Sequence, residues 1–497
     1  MDRGDREAAA VARAHDSVSM SERARLQRHL NPWHIGALAL GCIIGFGCFV
    51  LPADFLLKAG PVGASIGILL GAVLMVSIAW SYGIMVRRFP VAGGEFCFAY
   101  FAAGQHHAYI CGWFLSLGYL AIVPLNATAL AVLGKFLVPG FFARGDLYAV
   151  AGVEVYTGEV LLACAAVTLF GTFNYRGAQV VGATQLVMAV ALVGAAALIG
   201  VGSVASQAGS VAHLEPAFSP DRSPLAGVLA MLAIAPWLYV GFDTLPQAAE
   251  EFNFPPEKSY LLMVSAIVMG GALYVIVLLA TAYTMPWQEL VAAKHAWATG
   301  YAVQQTLGTF GLLALAIAVC MGIFTGINGF FMASSRLLFS MSRARILPDW
   351  LGTLHPRFGT PANAILFVGA VSLLAPWFGR QVITWVVDMA AVGTAIGYFY
   401  TCYAAAILLR RQQAPATRVG LAVFGVAVSA GFLVLLCVPG MPGFMAWPSW
   451  VALLLWVALG TWFYWSRAGE LGKVSEGERD LLILGEALGA TPGSVRR

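Results

Sequence analysis

Long stretches without a charged side chain, separated by short polar turns, dominate this sequence. Ala59 to Val86, Ala108 to Gly134, Ser223 to Phe242, Ser259 to Gln288 and Val419 to Ser466 contain no Asp, Glu, Lys or Arg. Each is long enough to cross a bilayer core, which takes about 20 apolar residues in a helix. Cutting at the polar turns predicts about twelve spans. They are His34 to Leu57, Val62 to Val86, Ala108 to Leu137, Thr157 to Phe173, Val180 to Ala205, Pro224 to Ala249, Ser259 to Met285, Thr309 to Leu338, Ala362 to Phe378, Val382 to Leu409, Val419 to Val438 and Trp447 to Ser466. The expected fold class is an all-α polytopic membrane protein.

Composition excludes a soluble domain, because only 10% of the 497 residues are charged and 60% are hydrophobic, with a mean hydropathy of +0.80. Even parity puts both termini on one side, and Lys and Arg divide 22 to that side and six to the other. The positive-inside rule therefore predicts cytoplasmic termini in a cell membrane. Arg outnumbers Lys 23 to 5 in an Ala- and Gly-rich chain, which fits a bacterial source. A net charge of +4, spread along the chain, suggests neither nucleic acid nor an anionic surface as a partner. The eight cysteines sit in apolar stretches without metal-ligand spacing, so no metal, disulfide or cofactor is expected. No cleavable signal is read in the polar first 33 residues, and no Walker, HExxH or GxSxG motif points to an enzyme.

Two spans are interrupted near their middles, at corresponding places in two successive groups of five. The first reads Gly41-Cys42-Ile43-Ile44-Gly45-Phe46-Gly47-Cys48-Phe49-Val50-Leu51-Pro52, and the sixth reads Ala235-Pro236-Trp237-Leu238-Tyr239-Val240-Gly241-Phe242-Asp243-Thr244-Leu245-Pro246. Gly and Pro lower the cost of unwinding and expose backbone N–H and C=O groups at mid-membrane depth. Such groups are tolerated where they line a cavity, and a matched pair of breaks points to the binding site of a secondary transporter. The alternative is that Gly and Pro only permit close packing and a kink. Asp243 follows the second break, where a carboxylate needs a wet cavity, a proton or a cation; capping the following half-helix is its other reading. Trp237 lies inside the break, either covering a ligand or filling core. Asp388 reads as a helix-start charge or a gating residue.

At these residues the chain resembles the amino acid, polyamine and organocation (APC) superfamily, specifically an amino acid permease. Gly41, Gly45, Gly47, Phe49 and Pro52 match its first-helix GxxxGxGxFxxP pattern, followed by the Ala59-Gly60-Pro61 turn. Arg88-Phe89-Pro90-Val91-Ala92-Gly93-Gly94-Glu95 resembles the PxxGGxY segment, with Phe96 in place of Tyr, and Gly112-Trp113 follows. Gly241-Phe242-Asp243 to Ala249-Glu250-Glu251 resembles GFDxxxxxAEE, although Phe254-Pro255-Pro256 replaces the common NP pair. Ser334-Ser335-Arg336 to Arg343-Ala344-Arg345-Ile346-Leu347-Pro348 resembles SSRxxxxxxRxxxLP. The similarity runs from about Asn31 to Arg411.

The resemblance implies a LeuT-like fold. It divides the chain into an N-terminal tail (1–33), a first five-helix repeat (34–205), an extracellular loop (206–223), an inverted second repeat (224–409), two further helices (417–466) and a C-terminal tail (467–497). It further implies that a substrate α-carboxylate meets Ile44, Gly45, Phe46 and Gly47 and that its ammonium meets Pro236, Trp237, Val240 and the adjoining Gly241. Phe46 stands where many relatives carry a small residue, and Met188 to Leu198 holds no Lys, the cation that replaces sodium in many proton-coupled relatives. Two coupling sites follow: Asp243, taking a proton as the cavity closes and dries, or a sodium ion near Thr325. Exchange of substrate for a related metabolite needs neither. The preferred function is a proton-coupled carrier of an amino acid or small amine, with a channel and a membrane enzyme or sensor as the other classes.

Overall fold

The computed structural model describes residues 24–485 apart from 151–152, 207–208, 294, 296, 442 and 472–473. Among them, ten helices are long and apolar enough to cross a membrane, and two shorter apolar helices span Pro224–Ala233 and Ala362–Phe378. In chain order the helices are α1 (Pro32–Ile44), α2 (Gly47–Val50), α3 (Pro52–Arg88), α4 (Glu95–Ala103), α5 (Gln105–Leu137), α6 (Pro139–Phe142), α7 (Thr157–Arg176) and α8 (Ala178–Ala205). There follow α9 (Pro224–Ala233), α10 (Ala235–Tyr239), α11 (Thr244–Gln247), α12 (Ser259–Tyr283), α13 (Trp287–Ala292), α14 (Ala298–Arg343) and α15 (Ala362–Leu374). The last are α16 (Gly379–Arg411), α17 (Ala416–Cys437), α18 (Trp447–Leu471) and α19 (Glu476–Leu484).

The long apolar runs are helical because a helix satisfies every backbone group within itself, as a lipid environment demands. Large apolar side chains such as Leu161, Val187, Val201, Leu261, Phe310 and Leu455 point outward. Inside, α5 packs along α16, α8 along α14, and α3 along both α9 and α12. Two turns expected between spans are backbone breaks at glycine, each dividing a helical stretch in two. Gly60 in α3 (φ 73°) precedes Pro61, and Gly308 in α14 has φ 63°. A side chain at Gly60 would strike the Phe218 backbone at 2.7 Å, so the chain at Ala217 and Phe218 lies folded over this turn, with Val62 N–H donating to the Ala217 carbonyl at 3.0 Å.

Three features depart from the expected all-α bundle with plain tails. The loop after α6 forms a small antiparallel hairpin, β1 (Asp146–Val150) with β2 (Val153–Tyr156). The segment after Arg88 forms α4 and lies within the core, with Glu95 to Tyr100 buried. Part of the C-terminal tail is helical: Ser475 caps α19, Ile483 and Leu484 are buried, and Asp480 accepts from the Tyr100 hydroxyl at 2.6 Å. Residues 1–23 and 486–497 of the expected tails, and the Asp388 side chain, lie outside the described residues.

Candidate functional site

The two expected chain breaks exist and face each other. α1 ends at Gly45 (φ 48°), whose N–H returns to the Gly41 carbonyl at 3.2 Å. The backbone N–H groups of Phe46, Gly47 and Cys48, at the start of α2, meet no acceptor among the described residues. In the sixth span, α10 ends at Val240 (ψ 130°) and Gly241 turns the chain with φ 137°. A side chain on Gly241 would lie 2.6 Å from both Cys42 Cβ and the Ile43 nitrogen; only glycine brings the two breaks into contact. Between them is a cavity of about 30 Å³, lined in part by Ile44, Gly45, Phe46, Gly47, Trp237 and Val240. Pro236 and Gly241 are buried beside it without lining it.

Its remaining wall comes from side chains that sequence patterns did not single out. Tyr274 of α12 donates to the Ile44 carbonyl at 3.0 Å, which fixes the end of α1. Ile122, Leu125 and Asn126 of α5 and Phe330 of α14 complete the wall. Asn126 gives its amide N–H to the Ile122 carbonyl at 2.9 Å, while its buried Oδ1 has no partner among the described residues. Nothing about a lone Asn in an apolar run marks it as cavity-lining.

Phe46 also borders a second cavity, of about 210 Å³, with Val50, Asp54, Phe136, His295 and Trp297. Its ring, which lines both cavities, stands edge-on to Trp237 at 6.2 Å. Trp297 reaches in ahead of α14 and donates to the Phe49 carbonyl at 3.0 Å. Trp297 and His295 thereby form part of the wall of the larger cavity.

Asp243 is fully buried and does not cap α11. Its Oδ1 accepts from the Gly241 N–H at 2.6 Å, and its Oδ2 lies 3.0 Å from the Tyr119 hydroxyl. That hydroxyl is also 3.1 Å from Glu95 of α4, a carboxyl equally buried and overlooked in the sequence because it sits among the glycines of a turn motif. Thr325 is buried between α1 and α14, with its hydroxyl 2.9 Å from the carbonyls of Gly41 and Gly322. Gln185 of α8 reaches the same place, donating to the Thr325 carbonyl at 3.3 Å and accepting from Asn328 at 2.8 Å.

Toward the face where both described ends of the chain lie, two buried ion pairs seal the bundle. Arg336 forms a bidentate pair with Glu251, Nε to Oε1 at 2.8 Å and Nη2 to Oε2 at 3.3 Å. Arg343 does the same with Glu250 at 3.0 Å through each nitrogen. Glu250 also accepts from the backbone N–H of Leu26 and of Ala92, both at 3.1 Å. One carboxylate thus joins the N-terminal segment, the glycine turn before α4, the end of the sixth span and α14. The acidic and basic sequence motifs, separated by more than 80 residues in the chain, are each other's partners.

This architecture agrees with comparisons to known proteins. Residues 30–459 match the family model described as amino acid permease. A methylthioribose transporter of Bacillus subtilis is 24% identical, covering 91% of this chain and 96% of the relative. A branched-chain amino acid permease of the same organism is 25% identical, covering 92% and 97%. The human cystine/glutamate transporter is 27% identical, covering 72% and 70%. With most of the chain matched to the family model and the bundle built around two facing helix breaks, this multi-pass membrane protein belongs to the amino acid permease family of the APC superfamily, a family of transporters rather than enzymes.

Proposed function

We propose that the chain is a secondary active carrier of one zwitterionic amino acid or compact amine, coupled to protons and working by alternating access in a bacterial cytoplasmic membrane. The observation that carries this reading is the meeting of two helix breaks on one cavity. Free N–H groups at the start of α2 suit a carboxylate, because half-helix amino ends attract anions. The break residue Val240 and the unpartnered Asn126 Oδ1 suit an ammonium group. No Lys or Arg lines the cavity, so a second substrate carboxylate would be desolvated without a partner. The branched-chain permease among the relatives fits this preference for a neutral zwitterion.

Counting the two shorter apolar helices gives twelve spans. We read them as five-helix repeats over 34–205 and 224–409, with two further helices over 417–466. The packing supports an inverted pair of halves: swapping the halves exchanges the α5–α16 contact with the α14–α8 contact and maps the α3–α12 contact onto itself. The Lys and Arg bias places both termini in the cytoplasm. The sealed face is then cytoplasmic, and the larger cavity opens toward the exterior.

Coupling is assigned to a proton at Asp243. A sodium ion near Thr325 would need several oxygen ligands. There the Gly41 carbonyl already accepts from Thr325, and the Gln185 amide supplies a further N–H donor. Proteoliposomes test the whole reading. Saturable uptake competed by neutral amino acids or amines is expected, and in sodium-free buffer an imposed pH gradient should concentrate substrate with wild type but not with Asp243→Asn. Single-channel currents, competition only by glutamate or aspartate, or uptake that appears only with sodium would overturn it. Asn126→Leu is expected to raise the half-saturating substrate concentration about ten- to a hundredfold, since a hydrogen bond to a charged group contributes about 1.5 to 3 kcal/mol.

A further inference from the structure

We propose that Glu95 and Asp243 hold one proton between them through Tyr119, and that Glu95 is the group to which the proton passes on its way to the sealed face. The proposal rests on the proton-coupled reading above and adds residues to it. Glu95 receives hydrogen bonds from Tyr82 at 2.8 Å and from Gln247 at 2.5 Å, and Asp243 receives one from Gly241 N–H at 2.6 Å. The Tyr119 oxygen then lies within 3.1 Å of an oxygen of each carboxyl and of the Asp243 backbone carbonyl. A phenol has one O–H, so it can donate to only one of them. With both carboxylates ionised, the other contact would set oxygen lone pairs against each other in a buried site.

One added proton resolves the conflict. Asp243 Oδ2–H donates to Tyr119 Oη, and the Tyr119 O–H donates to Glu95 Oε1. Transfer reverses the chain: the Asp243 proton moves to Tyr119 as the Tyr119 proton moves to Glu95, leaving Asp243 a carboxylate, Glu95 a carboxylic acid and the tyrosine neutral. Two buried polar atoms at the same place have no partner among the described residues, Gln247 Oε1 and Tyr398 Oη. Turning the Gln247 amide over, which leaves its heavy atoms in place, sets Oε1 at 2.5 Å from Glu95 Oε2. In that orientation a protonated Glu95 has an acceptor.

No fixed cation competes for the pair. The titratable groups around it are Tyr82 of α3, Cys97 of α4, Tyr119 and Cys111 of α5, Tyr398 of α16 and Cys42 of α1. The arginines of α14 are committed to Glu250 and Glu251. The relay also has a direction. Asp243 adjoins the second break, whereas Glu95 begins α4, whose Cys97 and Tyr100 contact α19 at the sealed face.

The test measures pH-gradient-driven uptake in sodium-free proteoliposomes for wild type, Tyr119→Phe, Glu95→Gln and Asp243→Asn, each normalised to its own substrate counterflow, which needs no net proton. Loss of concentrative uptake in all three variants is the expected result. Because Tyr119→Phe risks misfolding, infrared difference spectra between acid and neutral pH give a second readout: a protonated-carboxyl band in wild type that Glu95→Gln and Asp243→Asn each shift or remove. If wild type itself is not driven by the pH gradient, the coupling reading and the relay both fail. If wild type is driven and only Asp243→Asn loses driving, with the band unchanged in Glu95→Gln, the relay alone is overturned.

Discussion

Gly322→Ala is expected to abolish transport, although it adds a single methyl group. The new Cβ would sit 2.2 Å from the Gly45 carbonyl oxygen and 2.8 Å from its carbon. The obstacle is backbone at the first break, not the far end of a flexible side chain. Relief requires α14 and the end of α1 to separate, at a cost of about 3 kcal/mol by the measure of overpacked cores, and separation moves the N–H groups of Phe46 and Gly47 away from the second break. A fluorescence thermal-shift assay should show a clear drop in melting temperature, and uptake should fall to background. Gly420→Ala in α17 is the control, because nothing lies within 4 Å of its added Cβ. Equal behaviour of the two variants would refute the close approach at the first break.

The second large effect belongs to Arg336. It is 0% exposed, and its partner Glu251 is 3% exposed, so Arg336→Met leaves a carboxylate buried without its bidentate cation. Breaking such a pair from one side costs about 3 to 5 kcal/mol, whereas replacing both members with apolar groups is often neutral. The single variant should therefore lose thermal stability, and the double variant with Glu251→Leu should recover most of it. If the pair also serves as the seal of this face, the recovered double variant should still leak or stall, because it lacks a polar contact that can break and reform as the face opens. Measured stability and uptake in the two variants separate these roles. A stable Arg336→Met single variant would count against a buried, unshared pair.

Around the candidate site, less was legible in the amino-acid order than along the helices. Phe46, Trp237 and Asp243 stood out because Gly and Pro interrupt two otherwise apolar runs, and the structure brings those interruptions together around one cavity. Tyr274, Asn126, Gln185 and Tyr119 did not stand out. Each is a single polar residue in a long apolar helix, and its importance depends on which neighbouring helix its hydroxyl or amide reaches. Glu95 was visible as part of a glycine-rich turn, yet the turn gave no sign that its carboxyl enters the core beside Asp243. Of the two readings of Asp243, capping is not what its side chain does: it folds back to Gly241 and Tyr119 rather than forward along α11.

The sequence by itself determined the helices, because lipid solvation makes a long charge-free segment helical whatever its neighbours. It also determined where two of them break, because Gly and Pro act on the local backbone. Tertiary structure alone decided which groups meet. Glu250 and Glu251 find Arg343 and Arg336 across more than 80 residues, one phenol is shared between two carboxyls, and α19 closes on α4. Those contacts depend on distances between helices, and interior packing sets such distances side chain by side chain, in a pattern that no local stretch of sequence contains.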